Sequence, residues 1–114
     1  MSALEVNIES FDKLVLEESF KRLVVLDISA EWCGPCNILE PIITSVALEF
    51  NETEFLLTKI EAEDENMKIA GRYSVRGFPT VIAFINGEEV DRFHSVKTSD
   101  FVRDFIDTNL GKMT

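Results

Sequence analysis

The sequence predicts an α/β fold with helices on both faces of a mixed β-sheet. A nearly continuous apolar run at Leu23–Ser29 is typical of a strand covered on both faces. Apolar residues recur at helical spacing after Cys36, and Asn86-Gly87 separates two strand-like runs. That pair is a strong hairpin signal because both central positions of a type I′ turn need positive φ. The predicted order is β-α-β-α-β-α-β-β-α, a mixed sheet with helices on both faces.

The first half of the chain contains two β-α steps. Apolar and polar side chains alternate over residues 4–8, which predicts a short, half-buried strand. Ser10 is placed to cap a helix that runs to Glu18. The second step is the Leu23–Ser29 strand and the long helix after it, which Pro41 is expected to kink.

The second half adds one more β-α step, the hairpin and a last helix. Hydrophobic periodicity and turn signals define each of these elements. The predicted elements are a strand at 54–60, an acidic loop at 61–65, a short helix at 66–73, and strands at 80–85 and 89–94. Thr98 or Ser99 caps the last helix, and Gly111 ends it. Its predicted buried residues are Phe101, Val102, Phe105 and Ile106.

Length, composition and charge exclude several classes of protein. The chain has 114 residues, which predicts a single domain over residues 1–114, and 46% hydrophobic with 28% charged residues is typical of a globular protein. The net charge of −10 repels phosphate backbones and anionic lipid surfaces, so nucleic acid and membranes are poor partners. Neither a membrane span nor a secretory signal is recognisable, and a cytoplasmic, reducing location is expected.

Two cysteines, Cys33 and Cys36, lie between the apolar strand and the long helix. They cannot supply four zinc ligands, and the one histidine, His94, is far along the chain, so a zinc site would need carboxylates or a second chain. A structural disulfide across so short a loop would restrict the unfolded chain little. Redox chemistry is the favoured interpretation, with no metal.

The start of a helix predicts different roles for the two thiols. A thiol at the first turn faces unpaired backbone N–H groups and the positive end of the helix dipole, which favour thiolate over thiol. Cys33 is therefore the predicted nucleophile, and Cys36, one turn further and less exposed, the resolving thiol. Gly34 lets a partner backbone approach, and Pro35 stiffens the short loop.

Three segments carry a family resemblance: Asp27-Ile28-Ser29-Ala30-Glu31-Trp32-Cys33-Gly34-Pro35-Cys36, Phe78-Pro79-Thr80 and Asn86-Gly87. Over essentially the whole chain the sequence resembles the thioredoxin family. The resemblance implies the thioredoxin fold, a five-stranded mixed sheet flanked by four helices. It also implies a dithiol–disulfide oxidoreductase that reduces protein disulfides, binds no cofactor, and receives electrons from NADPH through thioredoxin reductase. A monomer is expected, although the sequence does not reveal the oligomeric state.

The resemblance assigns two further residues to catalysis. Asp27 matches the family's buried carboxylate, which is thought to exchange protons with the resolving cysteine, here Cys36. Burial within an apolar run would raise the pKa of Asp27 and make it a usable base, whereas an exposed strand-end aspartate is the alternative. Lys59 matches a lysine near that carboxylate, and its alternative is a solvated strand lysine.

The resemblance also implies a substrate-binding surface. Pro79 aligns with the family's cis-proline, which presents the preceding backbone to substrate, and Phe78 would lie beside the first cysteine. Trp32, Gly34, Pro35 and Phe78 would form an exposed apolar patch for an extended substrate segment. Ordinary core packing is the alternative for Trp32.

Two departures from the family pattern concern the range of partners. Where the family usually has a glycine beside the substrate groove, this chain has the segment 93–96, whose side chains would narrow the groove. His94 could tune the thiolate or contact a partner, although a plain surface histidine is the commoner case. The acidic loop at 61–65 carries one extra acidic residue, most simply explained by solvation.

Two other functions compete with disulfide reduction. One is a thioredoxin-like binding or chaperone module that uses the patch around Trp32 and Phe78, with incidental cysteines. The other is a disulfide oxidase or isomerase of a secretory compartment, which would favour a histidine between the cysteines. Gly34-Pro35 stands there instead and favours a reductant.

Overall fold

A computed structural model describes residues 3–113 of the chain. The strands are β1 (Leu4–Glu5), β2 (Leu23–Ser29), β3 (Phe55–Glu61), β4 (Thr80–Ile85) and β5 (Glu88–His94). They form a five-stranded sheet in the order β1-β3-β2-β4-β5. The first three strands of that order are parallel, and β4 and β5 are antiparallel to their neighbours. The mixed sheet is the one predicted.

Four helical regions cover both faces of the sheet. The N-terminal helical segment has π-helical turns at Asp12–Glu17 and a 3-10 turn at Glu18–Phe20, and it packs with α2 (Met67–Arg72) on one face. On the other face lie α1 (Gly34–Ala47), continuous through Pro41, and α3 (Ser99–Leu110). None of these described helices has the length and apolarity to cross a membrane.

The N-terminal elements differ from the prediction. β1 is limited to Leu4–Glu5, although the Val6 N–H still donates to the Lys59 carbonyl at 2.8 Å. Ser10 does not cap the following helical segment with its side chain. Its Oγ accepts from the Asn7 N–H at 3.0 Å while the Asn7 Oδ1 accepts from the Ser10 N–H at 2.9 Å, so the two residues close a turn on each other.

The C-terminal elements follow the prediction, except that one buried residue of α3 differs from the predicted ones. Asn86 and Gly87 have φ values of 53° and 79°, as the hairpin turn requires. Thr98 caps α3 by accepting from the Phe101 N–H at 3.1 Å. Phe101, predicted to be buried, is exposed; its ring meets the edge of Phe93, and the Lys97 ammonium lies 5.1 Å from its centroid. Asn109 is instead buried and donates to the Phe105 carbonyl and to Asp91.

Every residue of β2 and β4 is buried, because both strands lie inside the sheet with helices on both faces. Alternate residues of β2 therefore face different helices. Leu23 and Val25 pack with Leu39 and Ile43 of α1. The next residue on that face is Asp27, toward the end of the strand where α1 begins.

Candidate active site

The cysteine pair lies where β2 passes into α1. Cys33 is the N-cap of the helix, and its N–H donates to the Ala30 carbonyl at 3.2 Å, closing a turn after the strand. Its Sγ accepts from the Cys36 N–H at 3.2 Å, in place of the side-chain oxygen that usually caps a helix. The two sulfurs are joined in a disulfide, with the Cα atoms 5.3 Å apart. The position at the helix start is the one predicted.

The two cysteines differ little in exposure. Cys33 is 7% exposed and Cys36 4%, so the predicted difference between them is small. Both pack with Ala30 and the half-buried Phe78, whose carbonyl oxygen lies 3.6 Å from the Cys33 Sγ. A side chain at Gly34 would meet nothing within 4 Å, which leaves the outer side of the pair open to an approaching backbone.

An apolar surface surrounds the pair. Trp32 is 84% exposed and therefore not a core residue. Gly34 and Pro35 are exposed beside it, and Phe78 is partly exposed. Ile38, which was not predicted as a site residue, is exposed four positions after Gly34 and so lies on the same side of α1. Its position outside the buried stripe of α1 could have indicated in the sequence that Ile38 is exposed.

The loop before β4 and the end of β5 meet beside the cysteines. The Phe78–Pro79 peptide bond is cis, as the resemblance implies. The Pro79 carbonyl accepts from the Ser95 N–H at 3.1 Å, and Ser95 has φ 72°. His94 is exposed, with its Nδ1 3.1 Å from the Thr80 Oγ1. The segment that departs from the family pattern therefore contacts the Pro79 backbone directly.

Asp27 is buried under α1. It is 2% exposed, and its Oδ1 has no hydrogen-bond partner among residues 3–113. Alternation along β2 points it toward α1, where Cys36 lies one turn before the core residue Leu39. Burial raises the pKa of Asp27 to about 7, with Lys59 acting in the opposite direction and Glu40 and Glu61 adding to the rise.

Lys59 is the strand neighbour of Asp27 in the β2–β3 register. Its side chain is only 14% exposed, so it is not a solvated lysine, and its ammonium donates to Glu40 at 2.8 Å and lies 3.2 Å from Glu61. Burial lowers the pKa of Lys59, but the hydrogen bonds to the two glutamates outweigh it and the net shift is upward. We call Asp27, Glu40, Lys59 and Glu61 the polar cluster.

Glu40 and Glu61 were not predicted as site residues. Both could have been suspected from spacing, since Glu40 lies four positions after Cys36 on α1 and Glu61 two positions after Lys59 on β3. Among residues 3–113, no group of three or more His, Cys, Asp or Glu side chains is arranged to hold a metal ion.

A disulfide-forming cysteine pair at a helix start, with an exposed apolar surface around it and a buried carboxyl under the same helix, defines a thiol–disulfide redox site. The sequence profile of the thioredoxin family matches residues 2–108. The chain is 38% identical over 96 residues to a thioredoxin of Buchnera aphidicola subsp. Baizongia pistaciae, covering 81% of this chain and 84% of the relative.

Two further relatives cover more of the chain. A thioredoxin of Chlamydia pneumoniae is 38% identical over 101 residues, or 89% of this chain and 92% of the relative. One of Rickettsia felis is 37% identical over 109 residues, or 95% of this chain and 99% of the relative. The chain belongs to the thioredoxin family, and with its Cys33–Cys36 pair it is a dithiol–disulfide oxidoreductase. Family members in general need no bound cofactor, act on disulfide-containing substrates and depend on a reductase.

Proposed function

We propose that this chain reduces disulfides in other proteins, with Cys33 as the attacking thiol and Cys36 as the resolving thiol. The position of the pair at the start of α1 is the observation that supports this most strongly. In the reduced state the Cys36 N–H that now reaches the Cys33 Sγ would donate to a thiolate. That charge-assisted bond and the helix dipole both favour the ionised form of Cys33.

The exchange proceeds in two steps. The Cys33 thiolate attacks one sulfur of a substrate disulfide, a mixed disulfide forms, and the other substrate sulfur leaves as a thiolate that takes a proton from water. Cys36 then loses its proton and attacks the Cys33 sulfur, which releases the second substrate thiolate. Two electrons have passed from the chain to the substrate, and the chain is left with the Cys33–Cys36 disulfide.

Asp27 is the proposed acceptor of the Cys36 proton. Its raised pKa of about 7 keeps both protonation states populated near neutral pH, so the carboxyl can take a proton and return it. Lys59, its register neighbour, moderates this by favouring the ionised carboxylate. Both roles act on the second step rather than on the attack by Cys33.

The apolar patch of Trp32, Gly34, Pro35 and Phe78 is the proposed docking surface for the substrate segment around its disulfide. The exposed Trp32 offers a large apolar face, and Gly34 leaves room for a close backbone. The backbone at Phe78 and Pro79 lies along the same side of the cysteine pair, since the Phe78 carbonyl is 3.6 Å from the Cys33 Sγ. An extended substrate segment fits such a strip.

We further propose that a flavin-containing thioredoxin reductase, using NADPH, returns the disulfide to the dithiol. The chain would work in the cytoplasm, as a monomer and as one domain over residues 1–114. The net charge of −10 favours this over a role on nucleic acid or on an anionic membrane surface.

Insulin reduction with NADPH and thioredoxin reductase tests the proposal. Wild-type protein is expected to accelerate precipitation of the insulin B chain, while Cys33→Ser is expected to be inactive and Cys36→Ser to accumulate a mixed disulfide that denaturing, non-reducing gels detect. Equal rates for wild type and Cys33→Ser would contradict the proposal. A partner-dependent activity that survives in the Cys33→Ser, Cys36→Ser double variant would favour the binding or chaperone module instead.

A further inference from the structure

We propose that Glu40 and Glu61 are positioning residues that act on Asp27 through Lys59. By holding the Lys59 ammonium, the two glutamates leave Asp27 without a cation partner. They thereby set the pH range in which Asp27 takes the proton of Cys36. The inference rests on the role of Asp27 proposed above. It assigns to two glutamates outside the family motif an influence on the resolving step.

The geometry of the sheet brings the four side chains of the polar cluster together. Asp27 and Lys59 are opposite each other in the β2–β3 register, and Glu61 lies two positions further along β3 on the face of Lys59. Glu40 reaches the same place from α1, which runs back along β2 from the cysteines. The apolar layer formed by Leu23, Val25, Phe55 and Leu57 gives way here to polar groups.

Within the polar cluster, the Lys59 ammonium bonds to the two glutamates and not to Asp27. The Lys59 ammonium is 2.8 Å from the Glu40 Oε1 and 3.2 Å from the Glu61 Oε1, and it forms no ion pair with Asp27. Within the described part of the chain, the Oδ1 of Asp27 and the Oε2 of Glu61 are buried without a hydrogen-bond partner. The cation nearest to Asp27 in the register is therefore committed to the two glutamates.

The charge count shows the consequence for Asp27. With Asp27 protonated, two glutamates and one lysine give the cluster a single net negative charge, and ionisation of Asp27 adds a second. Placing a second net negative charge in a site of low dielectric is unfavourable. Both glutamates therefore hold Asp27 in the protonated state to a higher pH than Lys59 alone would allow.

Among residues 3–113, the charged groups that act on Asp27 from the elements packed on it are Lys59, Glu40 and Glu61. The titratable group of α1 is Glu40, joined by Cys36 once the disulfide is reduced, and those of β3 are Lys59 and Glu61. The β4 residues, Thr80–Ile85, contain no titratable side chain. The buried side chains of α3 on the same face of the sheet are Val102, Phe105, Ile106 and Asn109, which do not titrate.

The test is a direct titration of Asp27 in the intact, oxidised protein by NMR of ¹³C-labelled carboxyl groups, assigned with Asp27→Asn. Glu40→Gln and Glu61→Gln keep the shape of the side chain and remove its charge. Each is expected to lower the midpoint of Asp27 by at least about half a pH unit, and the double variant by more. Glu49→Gln is the matched control, since Glu49 pairs with Arg103 on the surface at 2.6 and 2.8 Å and should leave the midpoint unchanged.

Several outcomes would overturn the inference. Midpoints unchanged in Glu40→Gln, or moved as much by Glu49→Gln, would show that the glutamates do not act on Asp27 through the cluster. If Glu61→Gln does not fold, because one oxygen of Glu61 is buried, the more exposed Glu40→Gln still decides the question. The titration requires no turnover, so a failure of insulin reduction would remove the proposed function and leave this measurement intact.

A second readout separates positioning from structural support. In Glu40→Gln and in Glu61→Gln, the pH profile of kcat/KM for insulin reduction is expected to move toward lower pH by as much as the Asp27 midpoint moves. A merely structural role would lower the rate at every pH and leave the profile in place.

Discussion

Asp27 and Lys59 are direct partners in the parallel β2–β3 register, yet the Lys59 ammonium binds Glu40 and Glu61 and leaves Asp27 unpaired. A buried carboxyl without a cation partner resists ionisation, and burial is the largest cause of its raised pKa of about 7. The chain therefore keeps a weak acid, rather than an ion pair, buried under the helix that the cysteine pair begins. We expect this arrangement to affect both the stability of the fold and the proposed resolving step.

The variant Asp27→Asn is expected to be more stable than wild type at high pH. The pKa of Asp27 is about 7 when folded, against 3.8 for the free group, so the folded state binds the proton more tightly. Wild-type stability then falls as pH rises from about 4 to 7, and the penalty is complete above pH 7. The amide does not ionise, which gives an advantage of about 2 to 4 kcal/mol at pH 8 and little at pH 4.

Urea unfolding at pH 4, 6 and 8 measures this difference. Asp104→Asn, at an exposed position on α3, is the control and should show no such pH-dependent gain. A constant difference between Asp27→Asn and wild type at all three pH values would argue that Asp27 does not titrate in this range. The same variant is expected to slow the resolving step, which accumulation of the mixed disulfide reports.

Lys59→Met is expected to shift Asp27 in the direction opposite to the glutamate variants. Lys59 is the one group of the cluster that lowers the pKa of Asp27, so its removal leaves the carboxyl facing only negative charges. The NMR midpoint of Asp27 and the pH profile of insulin reduction should both rise. Lys68→Met, which breaks an exposed ion pair with Glu65, is the control and should change neither the Asp27 midpoint nor the pH profile. A lower Asp27 midpoint in Lys59→Met would contradict this account.

Much of this structure could be predicted from the sequence, because its strongest signals are local. The continuous apolar runs of β2 and β4 predict strands covered on both faces, and Asn86-Gly87 predicts the hairpin. Predicted strand and helix limits in the second half agree with the structure to within about one residue. The place of Cys33 at the helix start also follows from its position between an apolar strand and a helical stripe.

The remainder depends on contacts between distant segments. β1 ends early because Asn7 and Ser10 bond each other, and many sequences with the same alternation continue as strands. Glu40 and Glu61 look like ordinary surface glutamates in their own segments. Spacing could mark both as candidates, but only the packing of α1 on the β3 register shows that they share the Lys59 ammonium.

Trp32→Ala is expected to weaken substrate binding without lowering stability. The side chain is 84% exposed, so its truncation should change the free energy of unfolding by less than about 0.5 kcal/mol. If Trp32 contacts the substrate segment, the KM for insulin should rise several-fold while the rate with a small disulfide stays near wild type. Phe20→Ala, at another exposed aromatic that lies beside Gly87 instead of the cysteines, is the control. Equal effects of the two variants on KM would remove Trp32 from the docking surface.

Ser95→Gly is expected both to stabilise the protein and to admit a wider range of substrates. Ser95 has φ 72°, a left-handed conformation that favours glycine, and its N–H donates to the Pro79 carbonyl at 3.1 Å. Glycine relieves the strain and gains up to about 1 kcal/mol, measured by urea unfolding. Removing the side chain beside the Pro79 backbone should also lower the KM for insulin, because it widens the space next to the cysteine pair. Ser74→Gly, at φ 55° outside this segment, is the control and is expected to stabilise the protein without changing the KM for insulin. A KM change of equal size in both variants would argue that the Ser95 side chain does not narrow the groove.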